Sequence, residues 1–139
     1  MDQIIHAETE INPTETEEKV KTAVCNILGN VSITIKPDLK GSVLTAEASG
    51  KDSLLKFRNL LRTDRIRDAA RKALFHSIRG NSLSFFLNKQ VAFAGHISFS
   101  EETGESPLGA IHVIITSENP RQLVEWLAEK TTQARTRNA

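Results

Sequence analysis

Two Asn-Pro dipeptides, Asn12-Pro13 and Asn119-Pro120, each stand between a run of alternating apolar and polar residues and a stretch of helical period. An asparagine side chain satisfies the free amides of a helix start, and proline is preset for the first helical position. Near both ends of the chain, therefore, a strand must pass almost directly into a helix. Both units also begin with Ile-His, but the rest of the two segments does not align, so the likeness is shared capping chemistry and not a duplication.

In IIHAETEI, Ile5, Ala7, Thr9 and Ile11 share one strand face and His6, Glu8 and Glu10 the other. In NPTETEEKVKTAVCNILG, Asn12 suits the cap, Pro13 the first turn and Glu15 the returning carboxylate of a capping box. Val20, Ala23, Val24, Ile27 and Leu28 then form an apolar stripe, in which Cys25 reads as a small buried hydrophobe, and Gly29 offers a left-handed stop. VSITIK and SVLTAEA flank PDLKG as a hairpin, with Val31, Ile33, Ile35, Leu44, Ala46 and Ala48 inward.

The segment FRNLLRTDRIRDAARKALFHSIRG predicts two helices, because the stripe of Leu54, Phe57 and Leu61 loses phase with Ile66, Ala70 and Ala73 at about Thr63, which would cap the second. SLSFFLNKQVAFAGHISF gives two alternating runs meeting at Asn88-Lys89-Gln90, a long hairpin or a bent strand. SEETGESPLG is a loop by composition, AIHVIITS a last strand and NPRQLVEWLAEKT a last helix.

Strands in runs, interrupted by helices, predict an α+β fold: a mainly antiparallel sheet of about five to six strands with helices packed on one face. One domain over residues 1–129 and a frayed C-terminal tail over 130–139 account for the length of 139.

Eighteen basic and seventeen acidic residues leave a net +1, so any pull on a polyanion must be local. A single cysteine suits a reducing compartment, and the lack of a basic leader or of about 18 consecutive apolar residues points to a cytoplasmic protein without a membrane partner. His6, His76, His96 and His112 lack metal-site spacing, though strand-borne His6, His96 and His112 would converge if they shared a sheet face. Nucleophile-elbow and phosphate-loop motifs are absent. The sequence thus predicts no enzyme, no metal and no cofactor.

The charge is unevenly spread. Lys51 to Gly80 holds nine basic and three acidic residues, +6 against −5 for the rest. On helical geometry Lys56, Arg62, Arg65, Arg71, Lys72 and Arg79 project outward, where phosphates would meet them. The competing account pairs Asp64 with Arg67 and Asp68 with Arg71 or Lys72 as a solvated face. Phe75 falls on the outer side of the same helix, placed to stack on a base or pack on another chain. The sheet face away from the helices, read as carrying Ser32, Thr34, Ser84, Phe86, Ala92, Ala94, His96, Ser98, His112 and Ile114, is neutral and partly apolar and suits a subunit contact.

INPTE with EKV, RIRDAARK, SFFLNKQVAFAG and LGAIHV, in this order, resemble an uncharacterised archaeal family, the UPF two-zero-one group, over Ile4 to Trp126. LNKQ followed by A-x-A-G is the most distinctive part. The resemblance implies a fold like the L-five ribosomal proteins, no established activity, no cofactor and RNA binding. On the matched motifs it points to Arg65, Arg71 and Lys72, and to Asn88, Lys89 and Gln90, whose amides and ammonium suit phosphate and 2′-hydroxyl contacts. The expectation is a non-catalytic module for structured RNA, ribosomal or transfer, held by the basic helices and LNKQ. The alternative is a homodimeric structural or protein-interaction protein using the outer sheet face.

Overall fold

The structure, a computed structural model, describes residues 3–39, 41–100 and 109–130. Strand β1 (Ile4–Ile11) leads into helix α1 (Glu17–Ile27), the hairpin β2 (Ser32–Asp38) and β3 (Gly41–Ser49), and a 3₁₀ turn (Lys51–Leu54). Helices α2 (Leu55–Thr63) and α3 (Arg67–His76) follow, then β4 (Ile78–Arg79), β5 (Ser82–Asn88), α4 (Lys89–Phe93), β6 (Phe99–Ser100), β7 (Ala110–Thr116) and α5 (Pro120–Leu127). The expected loop SEETGESPLG falls largely, and the tail almost wholly, outside the described residues.

All strand pairs are antiparallel, in the order β2-β3-β1-β7-β5, with β4 and β6 both pairing with β5 on the edge that β7 leaves open. The fold is α+β, as expected, with a seven-stranded sheet; the two additional short strands are pairs of residues that no periodicity reveals. The inner face is formed by alternating positions: Ile5, Ala7, Thr9 and Ile11 of β1, which the sequence placed on one face, are buried, as are Leu83, Phe85 and Leu87 of β5 and Ile111, Val113 and Ile115 of β7. Helices α1, α2, α3 and α5 cover it with Val20, Val24, Phe57, Leu61, Leu74 and Leu123. Phe57, Phe85 and Phe99 meet with ring centroids 5.6–6.5 Å apart. Such ring pairs add about 0.5–1.5 kcal/mol each to their burial and hold α2 on β5.

Several helix ends differ from expectation. Asn12 does not cap α1. The chain makes a turn from Asn12 to Glu15, with the Glu15 amide on the Asn12 carbonyl at 2.8 Å, and the helix starts only after Thr16, whose hydroxyl accepts from the Lys19 amide at 3.3 Å. Glu15 still reaches back to the Asn12 amide at 2.9 Å, so the capping-box contact forms one turn early. Gly29 is not the left-handed residue after α1. That conformation falls to Asn30, at φ 55°, while the Gly29 amide donates to the Ser53 carbonyl. Cys25 is half-buried, not fully enclosed.

Thr63 does not cap α3. Helix α2 closes in a Schellman turn: the Ile66 amide donates to Leu61 O, the Arg65 amide to Arg62 O, and Arg65 takes φ 58°. VAFAG is not strand but the end of α4 and the turn that follows it. Asn88 caps α4 by accepting from the Val91 amide at 2.9 Å, and Asn26 of α1 donates to the Ala92 and Phe93 carbonyls at 3.0 and 3.1 Å. Val91 and Phe93 alternating with alanines read as a strand with Ala92 on the outer face, but the capped turn docked on α1 buries Ala92 and leaves Phe93 exposed. The second Asn-Pro unit behaves as expected: Asn119 accepts from the Gln122 amide at 3.1 Å, with Pro120 as the first helical residue.

Candidate nucleic-acid interface

Helices α2 and α3 bury Phe57, Leu61, Ala70 and Leu74 against the sheet, which turns their basic side chains outward or towards α5. Helix α5 decides which of them stay available. Glu129, just beyond it, collects three arginines, with Arg62 at 2.9 Å, Arg58 at 3.6 Å and Arg67 at 3.9 Å. Glu125 takes Arg71 in a two-pronged pair, both contacts 2.7 Å, and Arg71 also donates to the Ala128 carbonyl. That hydrogen bond holds the Glu125 carboxyl below the usual carboxylate range and raises the guanidinium of Arg71. Arg67 and Arg71 thus pair across to Glu129 and Glu125, while Asp68 adds a weaker attraction to Arg71 within α3. Asp64, expected opposite Arg67, instead accepts from His96 Nδ1 at 3.0 Å and from the Ile97 amide at 3.1 Å.

The remaining cations divide clearly. Lys56 donates to the Cys25 carbonyl at 2.7 Å. Arg79 lies past the end of α3, on β4, and its guanidinium donates to the His76 and Ile78 carbonyls, both at 2.9 Å. Arg65 and Lys72 are exposed, and neither side chain makes a hydrogen bond or ion pair among the described residues. Phe75 is not an open stacking platform. It is half-buried between the Arg71 and Arg121 guanidinium groups, 4.9 and 5.0 Å from its centroid, so it fastens α3 to α5.

LNKQ is built into the fold. Asn88 caps α4, and Lys89 is buried at 2% exposure. Its ammonium donates to the Glu10 carbonyl at 2.6 Å and to Glu15 at 3.0 Å, while Glu15 also accepts from the Asn12 side chain at 3.0 Å. A lysine enclosed this way costs too much desolvation to serve a phosphate as well. Lys89 and Asn88 therefore leave the expected contact set, and Gln90 stays at the surface.

The outer sheet face also differs from its expected composition. Ala92 and Ala94 belong to α4 and its C-terminal cap, and His96 and Ser98 to the segment between α4 and β6. Across the strands, Phe86, His112, Glu8, Thr45 and Thr34 form one row, and Ser84, Ile114, His6, Glu47 and Ser32 the next. His112 stacks on Phe86 with centroids 4.2 Å apart and shares a 2.8 Å hydrogen bond with Ser84. His6 lies against Glu47 and Glu8. Three carboxylates, Glu8, Glu10 and Glu47, make this face unfavourable for a phosphate backbone. The histidines do not assemble: among the described residues no group of three or more His, Cys, Asp or Glu side chains is placed to hold a metal, and no helix is long and apolar enough to cross a membrane.

A family model described as RNA binding matches residues 4–117. The chain belongs to the UPF0201 family. The family's protein from Saccharolobus solfataricus is 41% identical over 122 residues, covering 88% of this chain and 84% of that protein. Its counterpart from Sulfurisphaera tokodaii is 42% identical over 124 residues, covering 89% and 86%. Among solved structures, the UPF0201 protein from Methanococcus jannaschii superposes with a TM-score of 0.76 at 31% identity, over 92% of this chain and 99% of the other.

Proposed function

We propose that this UPF0201 protein is a non-catalytic module that binds structured RNA through the outward side of α2 and α3, with phosphate and 2′-hydroxyl contacts in place of base reading. The observation that carries the reading is the pair Arg65 and Lys72, two exposed cations without an internal partner among the described residues, in a chain matched by an RNA-binding family model. Arg62, 43% exposed beside Glu129, is the nearest reserve. Of the other expected contacts, Lys56, Arg71 and Arg79 serve the fold first. The acidic outer sheet argues against approach from the opposite side.

Electrophoretic or fluorescence titration against ribosomal and transfer RNA tests this. Each engaged phosphate contributes roughly −0.7 to −0.9 to the slope of log affinity against log salt, so the wild type should show about −2 to −4. The pair Arg65→Gly and Lys72→Glu should lose at least tenfold in affinity and about two units of slope while remaining folded. An unchanged slope in that variant would overturn the reading and move the weight to a protein-interaction role.

A further inference from the structure

We propose that the groove between α1 and α4 takes one unpaired nucleotide of the bound RNA, its base stacked on Phe93; this rests on the RNA-binding reading and adds a site to it. The groove has a volume of about 340 Å³, with Thr14, Thr16, Lys19, Gln90 and Phe93 on its walls and rim. That is ample for a base and its sugar. Phe93 is 44% exposed, the one aromatic among the large apolar side chains that the described residues leave in water. A surface helix of five residues gains nothing from showing a phenyl ring to solvent, whereas a base gains a π-face.

The surroundings suit a nucleotide. Lys19 holds its ammonium 5.8 Å from the Phe93 centroid, on a face that a base would claim by displacing the cation towards the attached phosphate. Thr14 brings a hydroxyl that both donates and accepts to the groove, the complement of a base edge. The floor is the Lys89 and Glu15 pair, whose charges cancel under the base, so neither repels the ligand. The α4 wall also runs into the proposed interface. The chain leaving Phe93 passes to His96 and Ile97, which are bound by Asp64, the residue before Arg65. A strand laid on Arg65 and continued along α4 reaches the groove without crossing the acidic sheet face.

The test uses an RNA hairpin with a single unpaired 2-aminopurine in its stem and the same stem fully paired. The wild type should bind the bulged stem about tenfold more tightly and quench the probe, since stacking on an aromatic ring is strong enough for that difference. Phe93→Ala should lose both the preference and the quenching while binding the paired stem as before, and Phe93→Trp should keep both. Because the ring is exposed, circular dichroism melts should match wild type. Equal wild-type binding of the two stems, or a preference that survives Phe93→Ala, overturns the groove but leaves the RNA reading standing. Binding to neither stem removes both. Quenching of free 2-aminopurine riboside monophosphate at the affinity of the bulged stem overturns the RNA-linked site in favour of a free nucleotide.

Discussion

Replacing Lys89 with methionine separates a structural lysine from an RNA-binding one. The side chain is 3% exposed and Glu15 10%, and the ammonium makes two contacts of 3.0 Å or less. Methionine fills the same channel but leaves the carboxylate of Glu15 without its cation. Breaking a buried pair from one side costs about 3–5 kcal/mol. Glu15 keeps two donors from Asn12, at 2.9 and 3.0 Å, which places the loss near the lower figure, about 3 kcal/mol. For a chain of this length 1 kcal/mol moves the midpoint by roughly 3–4 °C, so thermal unfolding followed by circular dichroism should fall by about 10 °C. Adding Glu15→Gln removes the stranded charge, preserves an acceptor for Asn12 and should recover most of the loss. Affinity for a fully paired RNA stem, which offers no base to the groove, should stay within twofold of wild type when measured well below the transition. A Lys89→Met protein that melts within about 2 °C of wild type yet binds RNA tenfold more weakly would refute this reasoning and return Lys89 to the interface.

Arg65→Gly should stabilise the protein by about 1 kcal/mol, because Arg65 sits at φ 58°, where glycine carries no side-chain penalty; urea titration should show a higher midpoint together with weaker RNA binding, and a lower midpoint would contradict the turn geometry. Glu125→Gln should narrow its stability gap to wild type in acid. The Glu125 carboxyl is depressed below its ordinary 4.5 chiefly by the Arg71 hydrogen bond, so the pair's contribution is complete above that value and fades as pH falls through the lower folded-state one. Paired melts at pH 7 and pH 3 check this, and a gap that widens in acid has the wrong sign.

Alternation in β1, β5 and β7 was legible because each strand buries one face fully, so every second residue is apolar except Thr9, whose hydroxyl donates to the Ala110 carbonyl. It failed at VAFAG because alanine carries almost no preference between the two periods, and the deciding interaction is the Asn26 side chain sixty-six residues away. The same limit applied to charge. Helical spacing located the outward cations but suggested partners one turn away, whereas Glu125 and Glu129 come from the far end of the chain and take Arg58, Arg62, Arg67 and Arg71. Acidic residues in the final turn of an amphipathic helix were visible. Nothing local said which basic helix they would face.

The motifs that carried the family resemblance turn out to meet each other. INPTE and LNKQ lie about seventy residues apart, yet Glu15 of one holds Lys89 of the other at 3.0 Å, and Asn12 and Asn88 fix the turns that bring them together. A lysine between two amides looked like a ligand-facing triplet because sequence shows polarity and hides burial. In the fold the polarity is turned inward: Lys89 joins the end of β1, the start of α1 and the start of α4, and every buried side-chain nitrogen and oxygen among the described residues has a partner. Such a junction fixes α4 relative to α1, which sets the width of the groove beneath Phe93. The distinctive residues therefore bear on recognition indirectly, by positioning an aromatic wall. A loosened junction should weaken discrimination for an unpaired base before it weakens attachment to phosphates, since the latter depends on Arg65 and Lys72 on other elements.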